Sequence, residues 1–127
     1  LERLDELIDL RQQVHDGWTR RLGGIEGLTF QGEYGRPAWW LTAVLLDRRF
    51  TAMLPHDLMT ALKGRGIETR PGFYPVPDLP HLVDPEHASC PVADDLVRRM
   101  LVLPSGPTLT PADLDYVVEH LMEIVGR

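Results

Sequence analysis

One short segment brings together residue types suited to gripping a ligand. Thr69-Arg70-Pro71-Gly72-Phe73-Tyr74-Pro75 sets a single guanidinium beside two aromatic rings. Arginine holds a carboxylate or phosphate through two parallel hydrogen bonds, and rings of this kind stack on a planar ligand. Upstream, Trp39-Trp40 places two indoles at the head of an apolar run. The same residues have a structural alternative, with Arg70 in an ion pair and the rings packed in the core. Spacing alone leans towards that alternative.

Other reactive side chains are scattered. His81 and His87 stand six apart near Asp84 and Glu86. That spacing matches no zinc pattern, and loop histidines are ordinarily solvated. Cys90 precedes Pro91 at a helix start, where a helix N-terminus can lower a thiol pKa; an N-cap or small buried residue is the plainer role. Ser105, in Leu-Pro-Ser-Gly-Pro, lacks the Gly-x-Ser-x-Gly elbow and reads as a turn serine. Gly23-Gly24 and Gly64-Arg65-Gly66 lack the phosphate-loop and dinucleotide patterns and read as helix stops. Asp94-Asp95 and Asp113/Asp115 fall at helix starts as solvated dipole partners. Among 13 basic residues Lys63 is the one lysine, so chemistry that needs an amine has one candidate. By themselves these residues assemble no catalytic, cofactor-binding or metal site.

The elements that must position Arg70 and the indoles follow from periodicity. Leu1, Leu4, Leu7, Ile8, Val14, Trp18 and Leu22 form an apolar stripe, predicting one helix over 1–22 that Gly23-Gly24 stops. Gly17 weakens it by about 1 kcal/mol relative to alanine. Residues 28–31 are a short strand. Residues 38–46, nearly all apolar, predict a central strand covered on both faces. A second helix spans 55–63, and a short strand spans 67–70. Residues 71–91 hold six of the eleven prolines. They cannot form a regular helix or a central strand, and a loop of that length in a compact domain is often functional. Pro91 opens a third helix. Residues 101–103 are extended. Thr110, Pro111 and Asp113 start a last helix whose buried face is Leu114, Val117, Val118, Leu121, Met122 and Val125. The order fits an α+β two-layer domain with a small, mostly antiparallel sheet covered by helices on one face.

Composition bounds the function classes. At 127 residues, 43% hydrophobic and 25% charged, the chain is one globular domain. A net charge of −6 gives no help with nucleic acid or an anionic membrane. One cysteine excludes an internal disulfide. No apolar run approaches the roughly 20 residues that span a bilayer, and no leader pattern opens the chain. These features predict a soluble, cytoplasmic domain. A first residue that is not methionine, inside a helical pattern, suggests a piece of a longer protein.

Several motifs, in order, resemble the DegT/DnrJ/EryC1/StrS sugar aminotransferases. They are Gly66-Ile67-Glu68-Thr69-Arg70-Pro71 followed by Phe73-Tyr74-Pro75; Cys90-Pro91-Val92-Ala93-Asp94-Asp95-Leu96 running into Arg98-Arg99; and Leu103-Pro104-Ser105-Gly106-Pro107 before Leu109-Thr110 and Asp113-Leu114-Asp115-Tyr116-Val117. Trp39-Trp40-Leu41 and Leu62-Lys63-Gly64-Arg65-Gly66-Ile67 fit in order, and Arg11, Trp18 and Leu22 suit the opening helix. The likeness covers essentially the whole chain and only the C-terminal third of the family.

The resemblance implies the small domain of a fold type I aminotransferase over 1–127. Its large domain, with the lysine that holds pyridoxal 5'-phosphate, lies outside this chain, and no cofactor is expected to bind the chain alone. Such enzymes typically move an amino group from glutamate to a keto sugar on a nucleotide, generally as homodimers; this piece alone is expected to be inactive. Trp40, Arg70 and Tyr74 are implied as substrate-binding residues, Arg70 receiving an anion of the donor or of the sugar nucleotide. Val76-Pro77-Asp78 departs from the pattern, because many relatives have a histidine near position 77. Relatives that replace the cofactor lysine by histidine act as sugar dehydratases, and a stand-alone binding module of the same fold is a third reading.

Overall fold

A computed structural model describes residues 2–32, 34–79, 81–82 and 90–127. The opening helix α1 (Leu4–Leu22) begins after Arg3; Leu1 lies outside the described residues. Its apolar stripe divides into two halves. Val14, Trp18 and Leu22 are buried, whereas Leu4 and Leu7 remain 50% and 41% exposed. Gly17 turns out to have a packing role. A Cβ placed there would lie 2.4 Å from Leu114 Cδ1, so the missing side chain lets the last helix cross α1 closely.

Four strands form one antiparallel sheet in the order β1-β2-β4-β3. They are β1 (Leu28–Phe30), β2 (Thr42–Leu46), β3 (Arg70–Pro71) and β4 (Met100–Leu103). Leu28 pairs with Leu46, Thr42 with Leu103 and Arg70 with Val102. The Gln31 side chain prolongs the β1–β2 pairing, its amide donating to Leu41 O and accepting from Ala43 N–H. The central strand starts at Thr42 rather than 38, because the backbone turns sharply at Trp39. It is also not covered equally on both faces: Thr42, Val44 and Leu46 are buried, but Ala43 and Leu45 only partly so. The expected strand over 67–70 shrinks to Arg70–Pro71. Ile67 instead closes α2 (Pro55–Lys63): its N–H reaches back to Leu62 O, that of Gly66 reaches Lys63 O, and Gly66 takes φ +75°. This is the left-handed helix stop that glycine permits.

α1, α2 and α4 (Pro111–Val125) cover one sheet face. The core there joins Trp18, Leu22, Leu58, Leu62, Val44, Leu101, Leu103 and Leu121. α4 starts on a reciprocal cap, Thr110 Oγ1 accepting from Asp113 N–H while the Asp113 carboxylate accepts from Thr110 N–H. The helix α3 (Pro91–Arg99) departs from the expectation of helices on one face. It packs on β2 but adds no residue to this core, which puts it against the opposite face. After β3 the chain makes a single turn of 3-10 helix over Val76–Asp78. Of the proline-rich stretch over 71–91, residues 80 and 83–89 lie outside the described residues.

Candidate functional site

One face of α1 presents Arg11, Gln12 and His15 to the segment before β2. His15 lies one turn on from both, four residues after Arg11 and three after Gln12, so it neighbours each of them on the helix surface. They surround Trp39, whose φ is +45°. A bulky residue in that region costs about 1–3 kcal/mol and persists only where its surroundings enforce it. Three contacts do so. The Trp39 indole N–H donates to Gln12 Oε1 at 2.6 Å. The ring stacks on the His15 imidazole with centroids 3.4 Å apart and planes 12° from parallel. Arg11 Nη1 donates to Trp40 O at 2.7 Å and to Trp39 O at 3.4 Å. Trp39 is thereby buried, while the neighbouring Trp40 is 63% exposed.

Trp40 forms one wall of a groove of about 350 Å³. Arg11, Glu68, Arg70, Ser105 and Thr108 also line it. The turn that floors it is fixed from two sides. The Trp18 indole N–H donates to Pro104 O at 2.9 Å, and Ser105 Oγ accepts from Thr42 N–H while donating to Leu103 O. Ser105 is thus a turn serine whose hydroxyl is engaged with backbone.

Arg70 lies 3.5 Å from Glu68, but both side chains are largely exposed. An ion pair of that kind is worth at most about 1 kcal/mol, so it leaves the guanidinium able to exchange its partner for a better anion. The aromatic residues of the same segment are not core residues either: Phe73 is 71% exposed and Tyr74 65%. Of the sequence-predicted site residues, Trp40 and Arg70 therefore share one groove, and Tyr74 lies outside its lining. Phe73 joins from the side, its ring 6.1 Å from that of Trp40. Arg11, Gln12 and His15 were not legible as site residues. The only sequence signal was a histidine beside Val14, within the buried half of the stripe.

The carboxylates at helix starts are not merely solvated. Asp95 is held below its usual pKa by a hydrogen bond from Arg99, and Asp115 by one from Arg21. Hydrogen bonds from Thr110 lower Asp113. Glu123 is lowered by the forked grip of Arg65. None of these carboxylates lines the groove. Among the described residues no group of three or more His, Cys, Asp or Glu could hold a metal ion. His81 is exposed; His87, Asp84 and Glu86 lie outside the described residues. No described helix is long and apolar enough to cross a membrane. Cys90 is the exposed N-cap of α3 and makes no side-chain capping bond.

An antiparallel four-stranded sheet under three helices, with a groove at its end, is the small-domain architecture of fold type I aminotransferases. The chain superposes on DesI, solved in the presence of its TDP-sugar product, with a TM-score of 0.87 and 26% identity, over 100% of this chain and 33% of DesI. The chain belongs to the DegT/DnrJ/EryC1/StrS aminotransferase family, whose model matches residues 1–122. It is 32% identical to EpsN of Bacillus subtilis (strain 168) over 131 residues, 98% of this chain and 33% of EpsN. It is 33% identical to the GDP-perosamine synthase of Vibrio cholerae over 113 residues, 86% of this chain and 30% of that enzyme. The chain thus spans about a third of the length of the curated relatives it matches.

The family works with pyridoxal phosphate, and the described residues do not fit that group. Lys63 is exposed at the end of α2. The recess it lines, about 630 Å³, has the imidazole of His56 as its one aromatic ring and no arginine for a phosphate. Its one carboxylate, Glu68, is the partner of Arg70.

Proposed function

We propose that residues 1–127 are the C-terminal small domain of a pyridoxal-phosphate-dependent aminotransferase that transfers an amino group from glutamate to a nucleotide-linked keto sugar. In this reading the cofactor and its lysine belong to a large domain outside this chain, and the chain alone is inactive. The complete enzyme works as a cytoplasmic homodimer. The observation that carries the reading is the pairing of Trp40 and Arg70 on one groove, both largely exposed. An indole face and an exchangeable guanidinium together suit a ligand with a ring and a negative charge. Arg70 receives the anion and Trp40 covers the ring, while Tyr74, exposed on the same segment as Arg70 but outside the groove lining, meets substrate only beyond the groove. The free-standing module is disfavoured by Leu4 and Leu7, apolar side chains left open on α1.

Two measurements test this. In the complete enzyme, Arg70→Met is expected to raise the KM for sugar nucleotide or glutamate about 10- to 100-fold, the worth of a charge-assisted hydrogen bond, with Tm unchanged. An unchanged KM for both removes Arg70 from the site. In the 127-residue chain, incubation with pyridoxal phosphate followed by borohydride reduction is expected to leave Lys63 without stoichiometric label. Full labelling of Lys63 overturns the assignment of the cofactor to another domain.

A further inference from the structure

We infer that Arg11, Gln12, His15 and Trp39 form a positioning device that holds the Trp40 indole over the groove, so that Trp39 governs ligand fit although its own side chain is buried. The device stands on geometry alone. The ligand class assigned to it, a flat ring bearing negative charge, rests on the substrate-wall reading above.

A residue as large as tryptophan relaxes to negative φ when nothing prevents it. That relaxation would redirect the chain at Trp40. Three restraints of different chemistry oppose it, and all come from one short stretch of α1. Gln12 accepts the indole proton, and its own amide is steadied by donating to Asp16 Oδ1 at 2.8 Å. His15, 2% exposed, offers a flat face to the ring. Arg11 ties down the carbonyls of Trp39 and Trp40, the two peptide planes that flank the Trp40 Cα. The Trp40 ring has no comparable restraint of its own: it is mostly exposed, and Phe73 meets it only obliquely. Its direction is therefore inherited from the backbone that α1 holds. Arg70, in the lining of the same groove, supplies the anion partner.

The test uses the 127-residue chain labelled with fluorotryptophan and read by fluorine NMR, first without ligand. Gln12→Leu removes the acceptor of the indole proton. Trp39→Phe keeps a ring on His15 but has no N–H to donate, and it leaves only Trp18 and Trp40 to be seen. Arg11→Met frees the two carbonyls. Trp18, buried and bonded to Pro104 O, reports whether the core is intact. The expected result is a Trp40 line that shifts or changes its width by about twofold or more, narrowing if the freed ring moves in ps–ns and broadening if it exchanges in μs–ms, while the Trp18 line stays in place. A Trp40 line unchanged in every variant that keeps the Trp18 line overturns the device. Adding GDP or TDP to the unaltered chain then separates the two readings. A Trp40 line that answers to the variants but to neither nucleotide keeps the device and removes the nucleotide-ligand reading. The reverse pattern removes the device and keeps that reading.

Discussion

Where α1 passes over the sheet, Trp18 is fully buried and its indole N–H reaches Pro104 O. About four turns earlier, the same helix leaves Leu4 half exposed and Leu7 nearly so. The buried end meets its needs within the chain: apolar contacts on α2 and α4, capped helix ends, and backbone groups paired in the sheet. The first turns of α1 carry open apolar side chains, and midway along the helix Arg11, Gln12 and His15 hold a strained tryptophan beside the groove. The buried end obeys the rules for a stable fold and the earlier turns depart from them. Such departures concentrate where a protein meets a ligand or another surface. The groove beside the Trp39 clamp is where the proposed function assigns the substrate.

The contrast can be broken by substitution. Leu121, 1% exposed, lies where α4 covers the sheet. Leu121→Ala is expected to cost about 2–5 kcal/mol, seen as a lower urea midpoint at constant m. A loss under about 1 kcal/mol would mean that the core is loose. Gly17→Val tests the crossing of α1 and α4. The added atoms meet Leu114, and the expected loss is about 1–3 kcal/mol. A neutral or stabilising result would show that the helices can move apart. Leu7→Ser sharpens the other side of the comparison. It should change the stability of the 127-residue chain by no more than about 0.5 kcal/mol. A larger loss would mean that this end is covered after all.

Much of this architecture was legible in the residue order. The period of α4, its Thr110 start, the Pro91 start of α3 and the apolar run of β2 each rest on local rules that local sequence satisfies. The errors came where tertiary contacts overrode local preference. The residues over 38–41 read as strand by composition, but the grip of α1 on Trp39 turns the backbone there. Residues 67–69 read as strand, but the helix stop at Gly66 uses the N–H of Ile67. Gly17 read as a weak point because its partner, Leu114, is distant in sequence. Within the candidate site, Arg70 and Trp40 stood out by residue type. The clamp did not, since no spacing rule links a glutamine and a histidine on one helix to an indole more than twenty residues away.

The edge strand that carries Arg70 has one more consequence. β3 is two residues long and ends in proline. Pro71 has no N–H to offer an incoming strand, and Arg70 brings a charge to the same border. The opposite border, β1, is only three residues long, and the glutamine that follows it spends its amide inward on Leu41 and Ala43. A sheet bordered in this way resists templating others of its kind. The domain can therefore keep an unsheltered aromatic groove in water without that groove's sheet seeding fibrils.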